Sequence, residues 1–245
     1  MREWGIMRSV STTERRSPSD HGRQVRRGRP PKGASQLSRA AILDAALEVI
    51  DTEGIAAITM RSVARRLGVD AKSLYNHVDD KDDLLDAVAE HVLAGMDIPE
   101  PTGAPEADLR AIAVAFRART LRYPQAATLV LTRQLSSLAG LAPLEAVLSV
   151  LRAAGCSVEE SVHLLRTFVA TLIGTLLREV NAGPTFGLSD AEGIARRQTV
   201  LEQSGLPAVG EAAAYLARLD REAEFAFTID LAIGTVLARL PGTNA

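Results

Sequence analysis

Cysteine occurs once in the 245 residues, at Cys156, so no intramolecular disulfide can staple the chain. Histidine occurs at positions 21, 77, 91 and 163. Neither these nor Cys156 stand at metal-ligand spacings such as Cys-x-x-Cys or His-x-x-x-His, so no metal site is expected. Aromatic residues make up 4% of the chain against 47% hydrophobic residues overall. Ala, Leu and Arg dominate instead, and helix formers in that proportion argue for an all-α protein over a β-sandwich. Long apolar runs are missing too. The longest, Phe168 to Leu177, falls far short of the roughly 20 residues that span a bilayer. Met1 to Val10 carries charge and no apolar run, and the expected location is the cytoplasm. No Gly-rich phosphate loop, Gly-x-Ser-x-Gly elbow or carboxylate and histidine constellation can be picked out, so neither an enzyme nor a cofactor is expected.

What the chain does have is an uneven charge. The formal net charge is −2, yet residues 1–40 hold ten Lys/Arg against Glu3, Glu14 and Asp20, which makes that segment +7 and leaves −9 elsewhere. A basic arm rich in Ser, Gly and Pro cannot bury enough surface to offset its ordering entropy, so residues 1–36 are expected to be disordered when free and to seek a polyanion. Within the arm, Arg27-Gly28-Arg29-Pro30 places two guanidinium groups around a glycine, a narrow shape suited to an A·T-rich minor groove. It resembles an AT-hook core. Residues 1–22 are also compatible with a solubilising tail or a start codon assigned too far upstream.

Beyond the arm, periodicity and capping signals give a series of helices. Ser38 can cap a first helix with Ile42, Ala45, Ala46, Val49 and Ile50 on one face, ended by Gly54. Thr59 opens a second, interrupted at Gly68-Val69, Asp70 caps a third through His77, and Asp79 or Asp80 caps a fourth to about Met96. Pro99, Pro101, Gly103 and Pro105 mark residues 97–107 as a linker. Helices are then expected at Leu109–Leu121, Ala126–Leu138 and Leu144–Ala153. The Ser157 to Glu160 capping box heads a long helix reaching Gly183-Pro184. Thr185 to Gly210 should hold at most a short helix from Ser189, and Asp220–Leu240 a last long one. That last helix and the long one from Val158 are apolar around more than half their circumference, so each needs cover on more than one side. A second copy of the chain is the favoured cover, with Gly174, Thr175, Gly234 and Thr235 permitting close approach.

Residues 59–77 read as a helix-turn-helix. Leu67 and Val69 would form the apolar pivot, Gly68 would give the turn its backbone freedom, and the second helix would project Lys72, Ser73, Asn76 and His77 toward base edges or phosphates. The run Ile58-Thr59-Met60-Arg61-Ser62-Val63-Ala64-Arg65-Arg66-Leu67-Gly68-Val69 resembles the tetracycline-repressor (TetR) family of bacterial transcription regulators. So do Ser73-Leu74-Tyr75-Asn76-His77-Val78 and Lys81-Asp82-Asp83-Leu84-Leu85. The likeness runs from about Leu37 to Met96, and Leu109–Pro124, Leu151–Glu160 and Phe225–Leu240 resemble the ligand-binding half of the subgroup around the tetracycline repressor.

The resemblance implies a DNA-binding domain over 37–96 and a helical effector-binding and dimerisation domain over 108–245. By position, Thr59 and Arg61 would touch phosphate, and Ala71, Lys72, Ser73 and Asn76 would read bases. Tyr75 and His77 would meet the backbone and Lys81 would anchor a phosphate, with Arg27 and Arg29 of the arm adding to the interface. Tyr75 bracing the first helix, His77 packing and Lys81 merely solvated are the other readings of those three. Residues 41–96 carry five Lys/Arg against eleven Asp/Glu, a charge of −6 that opposes DNA. The arm is the expected compensation.

In the sensor half, the resemblance aligns Thr132-Arg133 with a Thr-Arg pair of the tetracycline repressor, but Leu129 stands where that repressor has a metal-binding histidine. Magnesium-tetracycline is therefore not the expected effector. The expectation is an apolar pocket lined by Phe116, Leu129, Leu135, Leu165, Phe168, Leu172 and Phe186, with Thr132, His163, Thr167, Arg178 or Glu179 as polar anchors. Cys156 is expected to be structural. Taken together, the expected function is a ligand-responsive regulator, a repressor that binds an inverted-repeat operator as a homodimer and is released by a small apolar effector. A helical scaffold or partner-binding module without DNA specificity is the alternative.

Overall fold

The computed structural model describes residues 37–133, 138–180 and 190–241. Arg27 and Arg29 of the arm, and Leu135 and Phe186, lie outside the described residues. Helix α1 spans Arg39–Glu53; the Ser38 hydroxyl accepts from the Ala41 N–H at 3.2 Å, and Gly54 ends the helix at φ 83°. A 3₁₀ turn at Ile55–Ala57, absent from the sequence reading, leads to α2 (Met60–Leu67). There Thr59 and Ser62 form a reciprocal capping box, with Ser62 in the place usually held by Glu. Helix α3 is the single turn Ala71–Leu74, capped by Asp70, and α4 runs Lys81–Ala94 with Asp80 as its cap.

Ile42, Ala46, Ile50, Val63, Leu74, Leu84, Val88 and Val92 are buried together as an N-terminal core. Full burial of each large aliphatic side chain contributes roughly 1.5–3 kcal/mol, enough to hold four short helices around one centre.

The linker carries straight into α5 (Pro105–Leu121), which starts four residues earlier than periodicity suggested because Pro105 sits in the first turn, where its missing N–H costs nothing. Helix α6 is short, Ala127–Thr132, and α7 runs Leu138–Ala153 with Pro143 inside it. The sequence reading placed the start of α7 at Leu144, after the proline. Helix α8 (Val158–Val180) begins where Ser157 accepts from the Glu160 N–H at 3.1 Å. Helix α9 (Ala191–Glu202) and most of α10 (Pro207–Glu211) occupy the stretch from Thr185 to Gly210, where at most a short helix from Ser189 was expected, and α11 (Ala213–Leu216) follows it. Asp220 caps α12, Arg221–Leu237, through the N–H groups of Glu222 and Ala223.

The C-terminal core gathers Leu109 and Ile112 of α5, Leu151 of α7, Phe168, Leu172 and Leu176 of α8, and Phe225, Ile229 and Ile233 of α12. Helix α6 is wedged between the two cores. Ala126, Leu129 and Val130 pack into the N-terminal one and Leu131 into the C-terminal one. Helix α8 is long and apolar enough to cross a membrane by length and composition. Leu164, Leu165, Phe168, Leu172 and Leu176 are nonetheless buried against neighbouring helices, as in the central helix of a helical domain.

Candidate functional site

The turn between α2 and α3 is built on backbone need. Gly68 adopts φ 67°, ψ 30°, and its N–H bonds back to α2, while the Val69 N–H reaches the Ala64 carbonyl at 3.1 Å. This is a left-handed helix stop that a Cβ would strain. Leu67 packs on the core as the apolar pivot, but Val69, one residue past the stop, is 36% exposed and contributes less than expected.

The expected recognition helix is shorter than its motif. After Leu74 the chain tightens, with Asn76 and His77 N–H groups bonded to the Ser73 and Leu74 carbonyls at 3.4 and 2.9 Å. The inner side carries Leu74, fully buried, and Ala71, packed on the core. Lys72, Tyr75 and Asn76, spaced at i, i+3 and i+4, are exposed on the other side. Tyr75 is 53% exposed. The Ser73 hydroxyl donates to the Asp70 carbonyl at 2.5 Å, and the Thr59 hydroxyl is engaged with Ser62; both side chains are already used locally. His77 is half-buried, and its carbonyl accepts from Arg39 Nη1 at 3.0 Å.

Charge is sorted around this surface. Arg65 and Arg66 pair with Glu53 and Glu48 of α1. Among the described residues, no carboxylate lies within ion-pair distance of exposed Arg61, Lys72 or Lys81. Several of the crowded aspartates have structural tasks. Asp80 accepts from the Asp83 N–H at 2.9 Å and Asp83 from the Asp79 N–H at 2.8 Å, so both close the start of α4. Asp83 also lies 3.9 Å from Arg39. Asp82 and Asp86 hold Arg133, from the end of α6.

Two cavities adjoin the C-terminal core. One, of about 680 Å³, lies between the linker and α7, lined by Ile98, Pro101, Asp108, Glu145, Ser149 and Val150 among others. The second, of about 270 Å³, lies between α4, α5, α6, α7 and α8 and is lined by Leu93, Ile112, Phe116, Leu131, Leu144, Val147, Phe168, Leu172 and Ile173. Arg133 is the one charged side chain on its wall among the described residues.

The structure thus brings Phe116, Phe168 and Leu172 together around the second cavity, but not the other expected ligand residues that lie among the described ones. Leu129 is committed to the N-terminal core, and Leu165 packs in the C-terminal core without lining either cavity. Thr132 is exposed and its hydroxyl donates to the Thr128 carbonyl at 2.6 Å. His163 and Thr167 lie on the exposed side of α8, with the Thr167 hydroxyl donating to the His163 carbonyl at 3.0 Å. Arg178 lies 3.8 Å from Glu224 of α12.

Glu179 accepts two bonds from Arg117, at 2.9 and 2.7 Å, and Arg117 also reaches Glu222 at 2.7 Å and sits over the Phe225 ring. These hydrogen bonds, those to Glu179 foremost, push the Arg117 pKa further up and keep it charged despite partial burial. The pair therefore ties α5, α8 and α12 together and leaves Glu179 committed. Leu129 supplies no donor for a metal, and no group of three or more metal-ligating side chains occurs among the described residues.

Residues 42–88 match the family model for bacterial regulatory proteins of the tetR family, and residues 99–240 match the tetracyclin repressor-like C-terminal domain. The chain belongs to the tetR family. Among tetR-family relatives, it is 38% identical over 120 residues to an HTH-type transcriptional regulator of Saccharopolyspora erythraea, covering 49% of this chain and 51% of that protein. It is 30% identical over 180 residues to the HTH-type transcriptional repressor DrrR1 of Streptomyces coeruleorubidus, covering 71% of this chain and 64% of the relative. The matches thus span about half to two thirds of the curated relatives. In fold, it is similar to the Streptomyces coelicolor TetR family protein ActR in complex with actinorhodin, with a TM-score of 0.73, 26% identity, and coverage of 86% of this chain and 100% of that one. These families are regulators and not enzymes.

Two arginines of this tetR-family protein, Arg117 and Arg133, were given no role from the sequence. Arg117 and Glu179 are opposite charges set in the apolar stripes of two predicted helices, a pattern that signals a part-buried pair. Arg133 follows the end of α6, and nothing in its own neighbourhood in sequence points to the aspartates of α4, 51 and 47 positions away.

Proposed function

We propose that the chain is a ligand-responsive transcriptional repressor that binds an inverted-repeat DNA operator as a homodimer in the bacterial cytoplasm. The observation that carries this is the exposed row Lys72, Tyr75 and Asn76, held on a core-packed turn behind the left-handed stop at Gly68, in a chain of the tetR family. Lys72 can donate to guanine and Asn76 can pair with adenine, while Arg61, Lys81 and the arm residues Arg27 and Arg29 supply phosphate or minor-groove contacts. His77, Ser73, Thr59 and Ala71 contribute position more than readout.

The dimer reading rests on the outer sides of α8 and α12, which pack against each other. Phe227 and Leu231 stay 64% and 59% exposed, and a Cβ at Gly174 or Gly234 would meet open space. A second copy laid there by a two-fold axis would cover them and set the two reading surfaces about 34–36 Å apart or wider. The effector site is the cavity around Phe116, Phe168 and Leu172. A ligand there weakens operator binding only through different affinities for two states of the protein. A hundredfold change corresponds to about 2.7 kcal/mol of coupling.

Sedimentation of the full chain at micromolar concentration, together with selection of bound sites from random duplex DNA, tests the reading. A dimer and an enriched inverted repeat are expected. A stable monomer, or no enriched sequence, would overturn it in favour of a helical scaffold.

A further inference from the structure

The larger cavity, of about 680 Å³, is a cleft separate from the one proposed for the effector: among the described residues only Ile112 belongs to both walls. Helix α7 divides the two. Its Leu144 and Val147 line the effector cavity, whereas Ala142, Ala146, Ser149 and Ala153, at i, i+4, i+7 and i+11, line the cleft against the linker. All four are small, and the space stands where larger side chains would close α7 onto the linker. The facing wall is stiff, since Pro99, Pro101 and Pro105 each fix φ and Asp108 holds Thr102 and Gly103 in place.

Ile112 and Val150 form a buried apolar floor. Each wall carries an exposed carboxylate, Glu100 from the linker and Glu145 from α7. Glu145 accepts one hydrogen bond, from the Ser149 hydroxyl at 3.1 Å, and Glu100 meets no basic side chain among the described residues. No lysine, arginine or histidine lines the cleft among those residues, and the stretches 134–137, 181–189 and 242–245, which are not described, contain no charged residue. The cations nearest in sequence are engaged elsewhere: Arg110 pairs with Glu106 and Asp230, and Arg152 donates to the Cys156 carbonyl.

We propose that this cleft is a second small-molecule site, selective for an organic cation with an apolar body and a protonated amine. The body lies on Ile112, Val150 and the small face of α7, and the ammonium lies between Glu100 and Glu145. Two carboxylates without a cation, over a low-dielectric floor, concentrate a negative potential that such a ligand relieves and an anionic one meets as repulsion. Asp108, though committed to the linker turn, adds to that field. The volume lies within the range of pockets that enclose a small organic molecule. The proposal goes beyond the effector reading and does not rest on it.

The test uses the full chain and three pyrene probes of one shape, read by fluorescence: pyrenemethylammonium, neutral pyrenemethanol and pyrenecarboxylate. The ammonium should bind at least about tenfold more tightly than the alcohol, as expected of two part-exposed ion pairs, and the carboxylate more weakly than the alcohol. Glu100→Gln/Glu145→Gln, a double change at exposed positions, should bring the ammonium to within about twofold of the alcohol and leave alcohol affinity within about twofold of native. Rising salt should weaken the ammonium alone. Ala146→Phe, which fills the small face of α7, should remove the ammonium-selective binding. Equal binding of ammonium and alcohol, no binding of the ammonium, or an ammonium preference that survives the double variant would overturn the site. None of these three results bears on the effector cavity.

Discussion

At the scale of single residues, a few side chains fix where function can sit. Asp108 staples the linker to α5. Its carboxylate accepts from the Thr102 N–H at 2.8 Å, the Thr102 hydroxyl at 2.7 Å and the Gly103 N–H at 3.1 Å, with Gly103 at φ 84°. The Thr102 backbone bond, first among these, holds the carboxyl below its ordinary value near 3.8. A depressed acid contributes stability that is fully present above its unfolded pKa and is lost as pH falls through the lower folded value. Asp108→Asn should therefore lower Tm at pH 7, and the gap to the native chain should narrow steadily below about pH 3.8 in thermal scans. A gap independent of pH would mean that the staple works by shape alone.

The reading surface makes a second prediction at this scale. Lys72→Ala and Asn76→Ala should each relax preference at particular base pairs by about 1–3 kcal/mol, whereas Lys81→Ala should weaken all sequences alike. Competition binding on a panel of single-base operator variants separates the two patterns. Cys156 plays no part in either. It is buried beneath the α7–α8 turn, and that burial pushes its thiol pKa up.

Among the elements, α4 carries the opposing charges. Its aspartates cap the helix, meet Arg39 and hold Arg133, and His91 lies 2.8 Å from Asp44 of α1. The acidity that looked adverse to DNA binding is thus partly neutralised by the fold, although Asp82 and Asp83 remain beside the reading surface. The basic arm should supply the remaining balance. Deleting residues 1–33 should lower DNA affinity and flatten the dependence of log affinity on log salt by roughly 0.9 for each phosphate that the arm no longer neutralises. An unchanged slope would make the arm a passive tail.

The sequence made α1 to α4, their caps at Ser38, Thr59, Asp70 and Asp80, and the stop at Gly68 legible because each is a local signal. The 3₁₀ turn at Ile55–Ala57 escaped it, since three residues carry no periodicity. So did the wedge role of α6, because Leu129 and Leu131 differ only in which core they enter. The cavity wall was legible at Phe116, Phe168 and Leu172. His163 and Thr167 lie exposed on α8, away from both cavities of the single chain, because the α8 sequence is apolar enough to hide which side faces outward.

On the scale of the whole molecule, the exposed row Lys72, Tyr75 and Asn76 and a partly open cavity of about 270 Å³ belong to one chain, with guanidinium ties at both ends of α4. Two such chains related by a two-fold axis would present two reading turns, so ligand occupancy in the sensor half would register as a change in their separation. The most direct test measures affinity of the full chain for the duplex recovered by random selection and for a shuffled duplex of equal length, across a salt series. Preference for the selected duplex of at least about a thousandfold, with both affinities falling as salt rises, is the expected result. Equal affinity for the two duplexes at every salt concentration would contradict the assignment of Lys72 and Asn76 as a sequence-reading surface.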